Sequence, residues 1–188
     1  MSKFDPNATS YSPSNALILA EACLLAKEPG ETIKQKLENV WKTPNVKFVS
    51  KTHEGKLIFS RSIDTQAFVA GNDQFIIVAF RGTEPDNIND WKTNFHFIKY
   101  SVPNSNDTVV HKGFWDALDL AWDELMEHIR KFRNQEQPIW LTGYSLGGAL
   151  ATLAAFRLTQ EGFPFQGLYT FGQPRVGSWN FSEVFLFH

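Results

Sequence analysis

Cysteine is all but absent. Cys23 is the only one among 188 residues, so neither an intrachain disulfide nor a thiolate metal site can form. It falls in the apolar stretch 16–26, where it reads as a small buried hydrophobe. Excess charge of either sign is also missing: 18 basic residues face 20 acidic ones, with no block of like charge. That argues against a nucleic-acid groove and against a polybasic membrane anchor. There is no internal repeat and no low-complexity segment. Long apolar runs are lacking too, because the stretch 16–26 is interrupted by Glu21 and is too short to span a bilayer. No clean cleavage site follows it, so the expected location is cytoplasmic, with secretion as the alternative. His53, His96 and His128 are scattered without ligand spacing, so no metal site is expected.

Aromatic residues are plentiful, 17 Phe, 6 Trp and 4 Tyr, in a chain of 20% charged residues. This describes a soluble globular chain with a large core, a greasy surface somewhere, or both. The length fits one domain, 1–188, able to bury roughly 70% of the surface its unfolded chain exposes. Residues 1–15 read as a loose lead-in. Helical stretches follow at 14–27 and 31–41, split by Pro29-Gly30. Asp64–Ala70 and Gln74–Phe80 read as strands joined by the turn Gly71-Asn72-Asp73. In 113–134, Leu118, Trp122, Leu125, Ile129 and Phe132 step by 4, 3, 4, 3, one face of a helix. Ile139–Thr142 is a short buried strand, Leu146–Glu161 a helix ended by Gly162, and Gly167–Phe171 a third strand. Phe181, Val184 and Phe185 hint at a further helix. Alternation of strand and helix predicts the α/β class, a mostly parallel sheet with flanking helices.

Gly143-Tyr144-Ser145-Leu146-Gly147 lies between that strand and an alanine-rich helix. A serine on a tight strand-to-helix turn takes strained dihedrals, and only glycine fits two positions to either side. Such a turn lifts the hydroxyl above the sheet beside free N–H groups of the helix start. Acyl transfer also needs two N–H donors aimed at the developing oxyanion. Leu146 follows the serine and fits one role; Thr83, in Phe80-Arg81-Gly82-Thr83 after a buried strand, fits the other.

Together with Asp90-Trp91, His111-Lys112-Gly113-Phe114 and Phe171-Gly172-Gln173-Pro174-Arg175-Val176-Gly177, these segments resemble the class 3 (fungal-type) lipases, in order and at similar spacing over residues 75–178. The resemblance implies the α/β-hydrolase fold, with a lipase-like core from residue 75 onward. It implies a serine ester hydrolase of acylglycerols or related lipid esters, with Ser145 as nucleophile and no cofactor. It also implies a lid at 84–95. There Ile88, Trp91 and Phe95 give a short helix one apolar face, for transient contact with a lipid interface or for ordinary packing on the core. Tyr144 stands where many members carry His. His111, in the family, is not the catalytic base, and a structural hydrogen-bonding role is expected.

After Ser145 the sequence has no Asp, two Glu (Glu161 and Glu183) and one His, His188. Hydrolases of this fold place the acid and then the base after the nucleophile. Glu161 stands about 24 Å along the helix from its start. The expectation is therefore a C-terminally truncated, incomplete lipase domain, inactive or impaired as residues 1–188. The alternatives are a non-catalytic lipid- or protein-binding relative and a gene-model fragment. Self-association through an exposed sheet edge is a further expectation.

Overall fold

The computed structural model describes residues 4–52, 64–82, 98–105 and 107–183. Helices α1 (Pro13–Leu25) and α2 (Gly30–Lys36) lead into strand β1 (Asn45–Thr52), then β2 (Asp64–Gly71) and β3 (Ile76–Phe80). A small hairpin, β4 (Lys99–Ser101) and β5 (Val109–His111), precedes the long helix α3 (Lys112–Phe132). Strand β6 (Ile139–Tyr144), helix α4 (Leu146–Gln160), β7 (Gly167–Phe171) and α5 (Trp179–Glu183) follow.

Five strands form the main sheet in the order β1-β2-β3-β6-β7. The pairs β3–β6 and β6–β7 are parallel, while β2 is antiparallel to both its neighbours. Only β2 therefore runs against the others, and the α/β expectation holds with a mostly parallel sheet. The turn at 71–73 closes the β2–β3 hairpin: Asn72 Oδ1 accepts from Gln74 N at 2.9 Å and from Phe75 N at 3.1 Å.

The period-2 pattern of the strands feeds two cores. Val69, Ile76, Val78, Phe80, Ile139 and Leu141 face α3 and α4. Phe68, Ala70, Ile77, Ala79 and Trp140 face α1 and α2. All five residues of the helical stripe, Leu118, Trp122, Leu125, Ile129 and Phe132, are buried. Each such side chain contributes about 1.5–3 kcal/mol relative to exposure. Helix α4 is buried around most of its circumference. Ala149, Ala151, Ala154 and Ala155 have no Cγ, which lets the helix lie between the sheet and α3.

Three features depart from the sequence reading. The helix read across 31–41 changes at Lys36 into a π-helical turn, Leu37–Trp41, closed by Lys42 at φ 56°. Thr43 returns both its N–H and its Oγ1–H to the Leu37 carbonyl, at 3.1 and 3.0 Å. That widened turn keeps both Leu37 and Trp41 in the core. Strand β1 was not anticipated, nor was the β4–β5 hairpin. Lastly, residues 4–12 lack regular structure yet are fastened rather than loose. Phe4 packs edge-on against Phe75 and Trp140, with centroids at 4.9 and 5.6 Å. Trp140 Nε1 donates to the Pro6 carbonyl at 3.0 Å, Gln166 Nε2 to that of Ala8 at 3.0 Å, and Ser12 N to Tyr169 Oη at 2.8 Å. The buried Asn15 side chain pairs with both the N–H and the carbonyl of Asp5, at 2.9 and 2.7 Å.

Candidate active site

Strand β6 ends and α4 begins on either side of Ser145, which sits at φ 53° and ψ −121°. A positive φ costs a residue with a Cβ about 1–3 kcal/mol, and such strain persists only where its surroundings enforce it. The enforcement here is crowding. A Cβ on Gly143 would stand 2.1 Å from the Gly147 carbonyl oxygen, and one on Gly147 would stand 2.2 Å from that of Phe80. The strand, the elbow and the loop after β3 thus touch backbone to backbone. Gly82 carries that loop against the elbow, where a Cβ would meet the Tyr144 carbonyl oxygen at 2.5 Å.

Hydrogen bonds complete the turn. Ser145 N donates to the Phe171 carbonyl at 2.9 Å, and the Ser145 carbonyl accepts from Gly148 N at 3.0 Å and Ala149 N at 3.3 Å. Ser145 is 8% exposed. Among the described residues, nothing bonds its hydroxyl and nothing accepts from the Leu146 N–H at the first position of α4. A hydroxyl and a free N–H of the helix start therefore share the C-terminal rim of β6. That is an arrangement in which an ester carbonyl could be attacked and its oxyanion received. Thr83, expected as the second donor, and Ile88, Trp91 and Phe95, expected as the lid, lie outside the described residues, as do His53, His96 and His188.

Other singled-out residues have structural partners. His111 caps α3, its Nδ1 accepting from Phe114 N at 3.4 Å. Glu161 accepts from Trp122 Nε1 at 2.9 Å and from Arg157 Nε at 3.4 Å, which ties α4 to α3 away from Ser145. Glu183 is exposed at the end of α5. His128 lies 3.7 Å from Glu124, which also pairs with Lys51 at 2.7 Å. The Lys51 ammonium, and less strongly His128, hold the Glu124 carboxyl below its usual range. Behind β6, Cys23 Sγ lies 3.2 Å from Thr142 Oγ1, and burial pushes the thiol up to about 11, so it stays neutral near neutral pH.

Sequence reasoning treated the segment around Gln173 as a motif without assigning its parts. Thr152 Oγ1 donates to Gln173 Oε1 at 2.6 Å, tying that loop to α4. His111 N donates to the Val176 carbonyl at 2.8 Å, tying the loop to β5. Among the described residues no group of three His, Cys, Asp or Glu could hold a metal, and no helix is long and apolar enough to cross a membrane.

The family model described as "Lipase (class 3)" matches residues 77–187, more than half of the chain. A secreted mono- and diacylglycerol lipase 1 of Fusarium solani is 40% identical over 109 residues, covering 55% of this chain and 31% of that protein. A lipase of Rhizomucor miehei is 39% identical over 122 residues, covering 61% of this chain and 33% of that protein. The chain thus spans about a third of the length of these relatives. The solved structure of the Rhizomucor miehei triacylglyceride lipase superposes with a TM-score of 0.69 at 30% identity, covering 94% of this chain and 68% of that one.

Proposed function

Because this chain belongs to the class 3 lipase family, we propose that it carries the nucleophile half of a serine ester hydrolase for acylglycerols or related lipid esters. The observation that supports this most is Ser145 at φ 53° between β6 and α4, beside the open Leu146 N–H. In that reading Ser145 Oγ attacks the ester carbonyl carbon as its proton passes to a base. The tetrahedral oxyanion is received by Leu146 N–H and by Thr83 N–H. The alcohol leaves with a proton, and water then releases the acid from the acyl-serine. Ile88, Trp91 and Phe95 form the lid that meets the lipid interface.

The test is direct. An activated-serine phosphonate is expected to label Ser145 in any catalytically active polypeptide containing these residues. Ser145→Ala there is expected to lower kcat by a factor on the order of 10⁶, the scale of removing such a nucleophile. Esterase activity that survives Ser145→Ala would refute the assignment.

A second reading, a non-catalytic lipid- or protein-binding relative, is favoured by one observation. The Ser145 hydroxyl has no imidazole within hydrogen-bond distance among the described residues.

Self-association belongs to the same proposal. Strand β7 is the outer strand beside β6 among the described residues, and all five of its residues are only half-buried. Its free N–H and C=O groups offer a template for another strand. A polypeptide of residues 1–188 is expected to sediment as oligomers and to bind ANS. A monomer with a cooperative melt and no dye binding would contradict this.

A further inference from the structure

We propose that Lys27 and Tyr144 form a receptor for the phosphate of an anionic glycerolipid ester, so that the site prefers phosphate-bearing lipid esters to neutral ones. This rests on the lipid-ester reading of Ser145 and narrows it.

Lys27 lies two residues past the end of α1, half-buried, with its N–H donating to the Leu24 carbonyl at 3.2 Å. Its ammonium is held 5.2 Å above the Tyr144 ring. Three cations on the α3–α4 side of the sheet meet carboxylates: Lys51 meets Glu124 at 2.7 Å, Lys112 meets Asp116 at 2.6 Å, and Arg157 meets Asp119 at 2.7 Å. Lys27 has no carboxylate within 4.0 Å among the described residues. A ring face satisfies only part of an ammonium's charge and leaves its N–H donors available.

The position of this cation gives it a use. Tyr144 is 41% exposed and is joined by one peptide bond to Ser145. Its ring is backed by Gly172, where a Cβ would stand 3.3 Å away. Gly172 in turn follows Phe171, whose carbonyl holds the Ser145 N–H at 2.9 Å. Cation, ring and serine therefore share one rim of the sheet. In a glycerophospholipid the phosphate is only a few bonds from the ester carbonyls, so one molecule can present its carbonyl to Ser145 and its phosphate to Lys27. A lysine recognises phosphate as a point charge with several donors, without demanding one orientation. Tyr144 is thus a positioning residue: its ring fixes where the ammonium sits.

The experiment needs binding alone, so it does not depend on turnover. Residues 1–188 are titrated calorimetrically with dihexanoylphosphatidic acid, with dihexanoylglycerol and with inorganic phosphate, the lipids below their micelle concentrations. The phosphatidic acid is expected to bind about 3–10-fold more tightly than the neutral lipid at low salt. High salt should shrink that ratio. Lys27→Gln is expected to make the two lipids equal while leaving the neutral lipid's Kd unchanged, and Lys27→Arg to retain the preference. A preference that survives Lys27→Gln, or no preference in the parent protein, overturns the proposal. Inorganic phosphate binding as tightly as phosphatidic acid overturns the lipid assignment. If neither lipid binds, the lipid-ester reading itself fails; if both bind equally, only this inference does.

Discussion

Residues 1–188 mixed with a p-nitrophenyl ester are expected to accelerate its hydrolysis by no more than about 10³–10⁴ over water, the residue left when a serine hydrolase lacks a triad member. The physical ground is proton transfer. A serine hydroxyl is a weak nucleophile until a base takes its proton, and that base must lie within hydrogen-bond reach. His111 spends its Nδ1 on the start of α3, and Glu161 is engaged by Trp122 and Arg157. No Asp follows Ser145 in the sequence. What stays in place is the strained elbow and the Leu146 N–H proposed to receive the oxyanion, which by itself would supply only the electrostatic part of the acceleration. Initial rates with the parent protein and Ser145→Ala measure it. Robust turnover that vanishes in His188→Ala would identify that histidine as the base and overturn the expectation.

Gly147→Ala is expected to destabilise the fold by at least about 4 kcal/mol, or to prevent its accumulation altogether. The added carbon would lie 2.2 Å from the Phe80 carbonyl oxygen and 2.9 Å from the Arg81 carbonyl carbon. Both are backbone atoms of a fully buried strand end and its loop, so no side chain can swing aside. Relief would require moving β3 away from α4, which opens the core between Phe80, Ala151 and Ala154. A loss of this size is a large part of the ~5–15 kcal/mol that keeps a domain folded. Chemical denaturation of the purified variant measures it. An unchanged midpoint would mean that the elbow is looser than its contacts indicate. Gly162 is the natural control, because an added Cβ there meets nothing within 4 Å; its φ of 66° makes its substitution a matter of backbone strain alone.

The contrast between these two glycines also explains how much of the molecule can be read from sequence. Around Ser145 the spacing of Gly143 and Gly147 is itself a record of steric contact, so the elbow was legible without coordinates. The α3 stripe and the unalternating β3 were legible for a similar reason, since one is buried along a single face and the other on both. Strand β1 was not. Val46 touches one core and Val49 the other, Phe48 is 39% exposed, and Lys47 and Lys51 interrupt the run. Such a strand protects the sheet's edge with charge and in doing so erases its own alternation. The π-helical turn was hidden because its cause, Thr43 folding back on Leu37, lies past the last helical residue. The cation above Tyr144 was illegible for a different reason, since Lys27 and Tyr144 are brought together only by the packing of α1 on β6.

The fastening of residues 4–12 has a consequence in time. Pro6 finds its partner at Trp140, Ala8 at Gln166 and Ser12 at Tyr169, separations of 134, 158 and 157 residues. A ribosome adding about 5–20 residues per second needs roughly 8–30 s to make the second half of those bonds. Until then these three bonds cannot form, and only the pairing of Asp5 with Asn15 and the contact of Phe4 with Phe75 draw on residues already made. The stretch 6–12 is therefore secured long after it is made. In a mature molecule it should be the first to come free: a protease pulsed onto the native protein should nick near residues 7–12 before it cuts within α4.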